Sequence, residues 1–184
     1  LRVDRTWGFE PWAGERFARG AFRAWGNVQL YRWLRVDGRV ETGRAVFYDP
    51  VHPFQGTRQR WNGGFVLQPN GRLSQTVSVD HVAFARRDTG AEVYTVNIVN
   101  TRTTWQFTRE ISFRSIAQYD SSRHRVLTDL LASYELRPGS VVYVGYGTLV
   151  EQRDFREDRW VPGEGPYRES QRRFFAKVSY LFRL

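Results

Sequence analysis

The residues with the clearest potential for chemistry lie in one short polar segment, 120–125. It combines a carboxylate, two hydroxyls and an imidazole: Asp120, Ser121, Ser122 and His124. Hydrolases use these groups as orienting acid, nucleophile and base. Near neighbours in a short loop cannot all converge on one reacting atom, because catalytic groups need a fixed mutual geometry. We therefore predict a solvated loop and no enzyme activity, and keep as an alternative a membrane-embedded hydrolase that depends on His124.

A second charged segment, 151–170, mixes carboxylates with arginines. Carboxylates at this density could bind Ca²⁺, but their spacing matches no calcium-binding loop. The chain has no cysteine, which excludes disulfides, thiolate metal sites and a cysteine nucleophile. We predict a charge-balanced surface loop, no metal site and no cofactor.

The excess of basic residues raises the question of whether the chain binds nucleic acid. The 184 residues carry a net charge of +9, and Lys177 is the only lysine among the 28 basic residues. Nucleic-acid binding needs clustered cations with stacking aromatics, whereas these arginines are scattered along the whole chain. We therefore predict no nucleic-acid partner. No apolar run approaches the length of a spanning helix, and residues 1–184 are expected to form one domain.

The elements that must position these groups are strands. Apolar and polar residues alternate with period two, as in 77–80 and 113–119, so one face of each strand is apolar and the other polar. This pattern predicts an all-β chain. The ten predicted strands are 1–9, 21–34, 39–48, 58–68, 72–86, 92–106, 111–119, 125–136, 140–150 and 171–184.

Tight and long connections alternate along the chain. The tight turns are predicted at 36–38, 69–71, 108–110 and 137–139, and the long loops at 10–20, 49–57, 87–91, 120–124 and 151–170. An up-and-down arrangement places all tight turns at one end, as in outer-membrane barrels with short periplasmic turns. We therefore predict an antiparallel up-and-down transmembrane β-barrel in the bacterial outer membrane, in contact with its lipid.

The two faces of such a barrel have different roles. The polar face would line a pore through Asp80, Arg102, Arg114, Asp129 and Lys177. The apolar face would meet lipid, with an interfacial aromatic belt of Trp33, Trp61, Trp105, Tyr134 and Tyr180. A solvated sheet can show the same alternation. A soluble β-sandwich or lipocalin-like module that binds sugar or lipid is therefore the main alternative.

The end of the chain is similar to a known targeting signal. Lys177, Ser179, Tyr180, Phe182 and Leu184 follow the polar, small and alternating aromatic pattern found at the C-terminus of bacterial outer-membrane proteins, which more commonly end in Phe. The resemblance implies that the barrel-assembly machinery reads this segment as an edge strand.

Residues 90–184 also resemble the C-terminal β-barrel region of the DUF5916, or carbohydrate-binding family 9-like, outer-membrane proteins. The resemblance rests on short motifs, including 107–110, 112–114, 118–119, 133–135, 137–140 and 144–146. It implies that this chain is the C-terminal part of a larger barrel, lacking an N-terminal sugar-binding-like domain. The sequence opens at Leu1 without an initiator Met, so we likewise expect further protein upstream. The expected role is a pore, or a membrane anchor that contacts other subunits of an envelope assembly.

Overall fold

The computed structural model of the chain describes residues 1–156 and 159–182, with side chains at 1–153 and 165–182. Its ten strands are β1 (Arg2–Trp12), β2 (Glu15–Tyr31), β3 (Leu34–Phe47), β4 (Phe54–Asn70), β5 (Leu73–Arg86), β6 (Glu92–Gln106), β7 (Ile111–Asp120), β8 (Arg125–Arg137), β9 (Ser140–Arg156) and β10 (Arg159–Ser179).

All ten strands belong to one antiparallel sheet in which each strand pairs with its neighbours in sequence, from β1 to β10. The predicted all-β class and up-and-down order are confirmed. The sheet is open: over the described residues β1 pairs only with β2, and β10 only with β9. The predicted closure into a barrel is therefore not formed by pairing between β1 and β10. Across the described ranges, the chain contains no helix that is long and apolar enough to cross a membrane.

Local chemistry explains the tight turns. Gly139 has a φ of 86° in the connection between β8 and β9, a value that a residue with a side chain rarely adopts. In the connection between β4 and β5, the Asn70 carboxamide oxygen accepts bonds from the backbone N–H groups of Arg72 and Leu73, at 2.9 and 3.0 Å. An Asn side chain that bonds to the backbone two residues ahead mimics a turn. These two turns lie where the sequence predicts them.

Three predicted connections are wrong. Residues 10–20 and 151–170 are not loops, because β1 stays paired with β2 up to Trp12 and Glu15, and β9 with β10 up to Arg156 and Arg159. The β1–β2 hairpin extends past β3, so much of it lacks a neighbouring strand and its residues need not alternate. The predicted turn at 36–38 lies inside β3, since the chain reverses at residues 32–33.

The two ends of the sheet still differ. The turn end holds the connections 32–33, 71–72, 107–110 and 138–139, whereas the loop end holds 13–14, 48–53, 87–91 and 121–124 among those described. The most buried large side chain, Phe84, lies near the loop end and is 2% exposed. Its ring centroid lies 5.5 Å from that of Tyr94 and 6.0 Å from that of Phe47. This aromatic cluster is the main apolar core of an otherwise thin sheet.

Candidate functional site: the polar face of the sheet

The strand register sorts the side chains into two faces, because directly paired residues point to the same side. Asp80 pairs with Ile98, and Ile98 lies on the same face as Arg102. Arg102 pairs with Ile116, and Ile116 pairs with Asp129. Continuing the same register through β9, all five predicted pore-lining residues share one face, which we call the polar face: Asp80, Arg102, Arg114, Asp129 and Lys177.

The opposite side, the apolar face, is free of charge over most of the sheet. In the continuous register of β4 to β9, none of its described positions from 57 to 150 is Asp, Glu, Lys or Arg. Its members include Trp61, Phe65, Val77, Val79, Val99, Trp105, Leu130, Tyr134, Val144 and Val150. From β4 to β9 this face is therefore uncharged, although it also carries polar side chains that bond to each other, such as Gln75 with Thr101 and His81 with Asn97.

The polar face contains an arginine clamp around Glu41 in β3. The carboxylate, whose residue is 6% exposed, is contacted by guanidinium nitrogens of Arg58, Arg23 and Arg39 at 2.8, 3.1 and 3.3 Å. The arginines come from β2, β3 and β4, so the clamp cross-links three strands. Sequence reasoning did not single out Glu41, although the alternation of β3 places it on this face.

Further ion pairs surround the clamp. Arg19 contacts Glu10 at 2.8 Å, and Arg60 contacts Asp80 at 3.6 Å. Arg23 also lies 3.9 Å from Asp4. On strands β1 to β5, a network of opposite charges therefore holds the polar face together.

On the remaining strands, Arg125 pairs with Asp120 at 3.3 Å, whereas two other arginines of the polar face are unpaired. Arg102 and Arg114 have no ion pair or side-chain hydrogen bond within the part of the chain that the structure describes. They are diagonal neighbours on β6 and β7, since Arg102 pairs with Ile116 and Thr104 pairs with Arg114. Asp129 on β8 is a further diagonal neighbour of Arg114, so this patch holds two positive charges and one negative charge. Its net positive charge attracts anions.

Four of the five predicted belt residues lie at the turn end, and neighbouring aromatics accompany three of them. Trp33 stacks on Tyr31 with centroids 4.9 Å apart, and Trp105 stacks on Phe107 at 4.2 Å. The others are Tyr134 on the apolar face and Tyr180, whose ring contacts that of Phe182 at 4.5 Å.

Trp61 differs from the other four. It lies well inside β4, paired with Val40 and His81, and stacks on the His81 ring at 5.0 Å. Sequence reasoning missed a second aromatic group near the loop end, formed by Trp7, Phe9 and Phe22. The alternation of Trp7 and Phe9 around Gly8 was the signal that could have revealed it.

The C-terminal signal residues lie on β10 and just after it. Lys177 and Ser179 pair with Tyr143 and Val141. Beyond the strand, the backbone N–H of Leu181 donates to the Ser140 hydroxyl at 3.2 Å. Leu184 lies outside the described residues.

The segment 120–125 is built as a turn. The Asp120 carboxylate accepts bonds from the backbone N–H and the hydroxyl of Ser122, at 3.0 and 2.7 Å, and forms an ion pair with Arg125 at 3.3 Å. The Ser121 hydroxyl accepts the backbone N–H of Asn97 at 2.8 Å. These contacts hold the acid and both serines in turn structure, and no hydrogen bond joins a serine to His124 in this described segment.

Over the described residues, no group of three or more His, Asp or Glu side chains is placed to hold a metal ion. Neither the protein-family models nor the curated proteins compared with this sequence match it.

Proposed function

We propose that this chain is a bacterial outer-membrane β-barrel protein, or part of one, that acts as a pore or as a membrane anchor for an envelope assembly. The observation that carries the proposal is the apolar face: it is free of charge from β4 to β9 and lies opposite a polar face rich in ion pairs. This inside–outside contrast is what a barrel wall between lipid and water requires.

Strand length supports the same function. A tilted strand crosses a bilayer with about 9–11 residues, and the ten strands contain between 10 and 21. Soluble strands usually have about 5–6 residues. Exposure points the same way, since Trp61, Trp105 and Tyr134 on the apolar face are 44%, 45% and 48% exposed. No second layer covers them within the part of the chain that the structure describes.

The open edges need partners in a membrane, because unpaired backbone groups are costly in hydrocarbon. In the proposed barrel, β1 and β10 would pair with each other or with further strands of a larger barrel. The polar face would then line the interior, where Arg102 and Arg114 favour anions. A membrane anchor would have the same barrel wall but would not conduct ions.

The first experiment compares native, detergent-extracted protein on an SDS gel before and after boiling. A closed barrel resists SDS until it is heated, because every strand edge is paired. We expect faster migration before boiling. A protein that is freely soluble in buffer and shows no shift would refute the membrane proposal and favour the soluble binding module.

A matched pair of variants tests which face meets lipid. Val79→Arg places a charge on the apolar face, whereas Ser78→Arg places it one residue away on the polar face. An arginine in the middle of the lipid face of a barrel costs about 2–4 kcal/mol. We expect heat resistance to be lost in Val79→Arg and kept in Ser78→Arg, and equal behaviour of the two would contradict the assignment of faces.

A further inference from the structure

The apolar face carries charge on the outer strands of the sheet. On β2, Arg16 lies over the Phe9 ring, and on β10 Arg172 and Glu169 pair with each other at 2.8 Å. Arg5 on β1 and Arg44 on β3 both lie on this face, because Arg5 pairs with Phe22 and Gly20 pairs with Arg44. Both side chains are exposed, and neither has an ion pair or hydrogen bond to any residue that the structure describes. Two unpaired cations on an apolar surface therefore need an explanation.

The two arginines border a groove. Among its lining residues, Arg5, Trp7, Phe22, Thr42 and Arg44 share the apolar face around Gly20, and its volume is about 420 Å³. Arg19 also lines it, but the guanidinium of Arg19 is paired with Glu10 at 2.8 Å. We call it the Gly20 groove. Trp7 and Arg44 flank Gly20 on either side, which places their Cα atoms about 10 Å apart across a residue with no side chain.

The height of the groove matches a membrane boundary. The chain rises by 11 residues of β2 from Tyr31 at the turn end to Gly20. At about 3.4 Å per residue and a tilt near 45°, this is a rise of about 26 Å. The apolar band of an outer-membrane barrel is about 25 Å tall. The groove thus lies where hydrocarbon gives way to headgroups.

The chemistry of the walls selects the ligand. Arginine binds phosphate oxygens through two parallel N–H donors and keeps its charge at an interface. Trp7, which is 83% exposed, offers the amphipathic ring that favours the headgroup level. A phosphorylated headgroup would place its anion between the guanidinium groups, while its acyl chains follow the charge-free surface towards the turn end.

We propose that the Gly20 groove binds the phosphate headgroup of an anionic lipid through Arg5 and Arg44. This inference rests on the proposed membrane function. It places one specific lipid-binding site on strands β1 to β3, at the loop end of the sheet.

The test uses the full chain in phosphatidylcholine nanodiscs that contain a minor fraction of phosphatidic acid, with the retained lipid counted by native mass spectrometry. Wild type should retain phosphatidic acid in preference to phosphatidylcholine. Arg5→Gln/Arg44→Gln should lose about fivefold in preference per arginine, or about 25-fold together. The control Arg32→Gln/Arg72→Gln removes the same charge at the turn end and should keep the preference.

A second variant keeps both arginines. Thr42→Glu adds a carboxylate to the wall of the groove and should reduce the preference to a similar extent, because the carboxylate competes with the phosphate. Unchanged preference in Arg5→Gln/Arg44→Gln, or an equal loss in the turn-end control, would overturn the proposal. Displacement of phosphatidic acid by inorganic phosphate would identify a site for the free anion and overturn the assignment to lipid. A chain that enters nanodiscs without any preference refutes only this inference, whereas a chain that does not enter them refutes the proposed function.

Discussion

Replacing Glu41 by glutamine tests whether the arginine clamp stabilises the sheet. The substitution keeps the size and shape of the side chain but removes the charge that Arg23, Arg39 and Arg58 share. Three guanidinium groups then converge on a neutral amide, whose NH₂ group cannot accept a hydrogen bond. Both the lost attraction and the remaining repulsion among the arginines act against the folded state.

The size of the effect follows from burial. Removing one partner of a fully buried ion pair costs about 3–5 kcal/mol. Here the Glu41 side chain is 8% exposed, but those of Arg23, Arg58 and Arg39 are 33%, 39% and 50% exposed and keep part of their hydration. We therefore expect a loss of about 2–3 kcal/mol in the free energy of unfolding, or roughly 30- to 150-fold in the unfolding equilibrium.

The assay is urea unfolding of the folded chain in detergent, followed by tryptophan fluorescence. Asp88→Asn is the control: it also removes one carboxylate that pairs with an arginine, but the side chains of Arg86 and Asp88 are 38% and 60% exposed. It should cost clearly less than Glu41→Gln, because an exposed ion pair is screened by water. Adding Arg39→Gln to Glu41→Gln should recover part of the loss, because it relieves repulsion. The reasoning is refuted if Glu41→Gln costs no more than Asp88→Asn.

Three further predictions concern other regions. In planar bilayers, Arg102→Glu/Arg114→Glu should change the sign of the reversal potential in a salt gradient, from anion to cation preference. Gly56→Ala should cost about 1–3 kcal/mol in urea unfolding, because its methyl group would collide with the ring of Phe84 and with the backbone carbonyl oxygen of Ala85. Phe84→Leu should rescue only the part of this loss that comes from the ring. The pKa of Asp49 is lowered by backbone N–H bonds to its carboxylate. These bonds therefore stabilise the loop fully at pH values above the pKa of an unfolded Asp, about 3.9. The stabilisation is lost as the pH falls through the lower pKa of the folded state. Hydrogen exchange of the two amides that bond to this carboxylate should therefore accelerate at acidic pH, and an unchanged rate would contradict this role.

The faces of the sheet were predictable because alternation is a local property. In each of β5 to β8, all charged residues stand at even positions or all stand at odd positions. Asp80 and Asp129 could therefore both be assigned to the charged face of the sheet without knowing how the strands pair. The up-and-down order was predictable from the turns for a similar reason. Asn70 and Gly139 act on their immediate neighbours.

The arginine clamp and the β1–β2 hairpin were not predictable in this way. The clamp joins residues from three strands, and only the register shows that Arg23 lies directly beside Glu41 and that Arg58 lies on the same face of the adjacent β4. In the turn of this hairpin, Ala13 has a φ of 50°. Alanine is not among the residue types that indicate a turn with positive φ. Long-range pairing and an unusual local conformation both lie beyond what residue patterns reveal.

The positions of the register irregularities support the assignment of the faces. The shifts at Gln29/Tyr31, Leu67/Asn70 and Glu135/Arg137 lie at the turn end, the shift at Phe84/Ala85 lies near the loop end, and those in β10 lie towards the β9–β10 turn. Between them, the pairing of β3 to β8 is unbroken. A slip of one residue there would exchange the faces. In the proposed barrel it would place groups such as Asp80 and Arg102 against lipid, at about 2–4 kcal/mol for an arginine near the midplane. If the proposed barrel forms, the charge-free face therefore also favours the observed register, because each charge confined to the polar face penalises the alternative pairing.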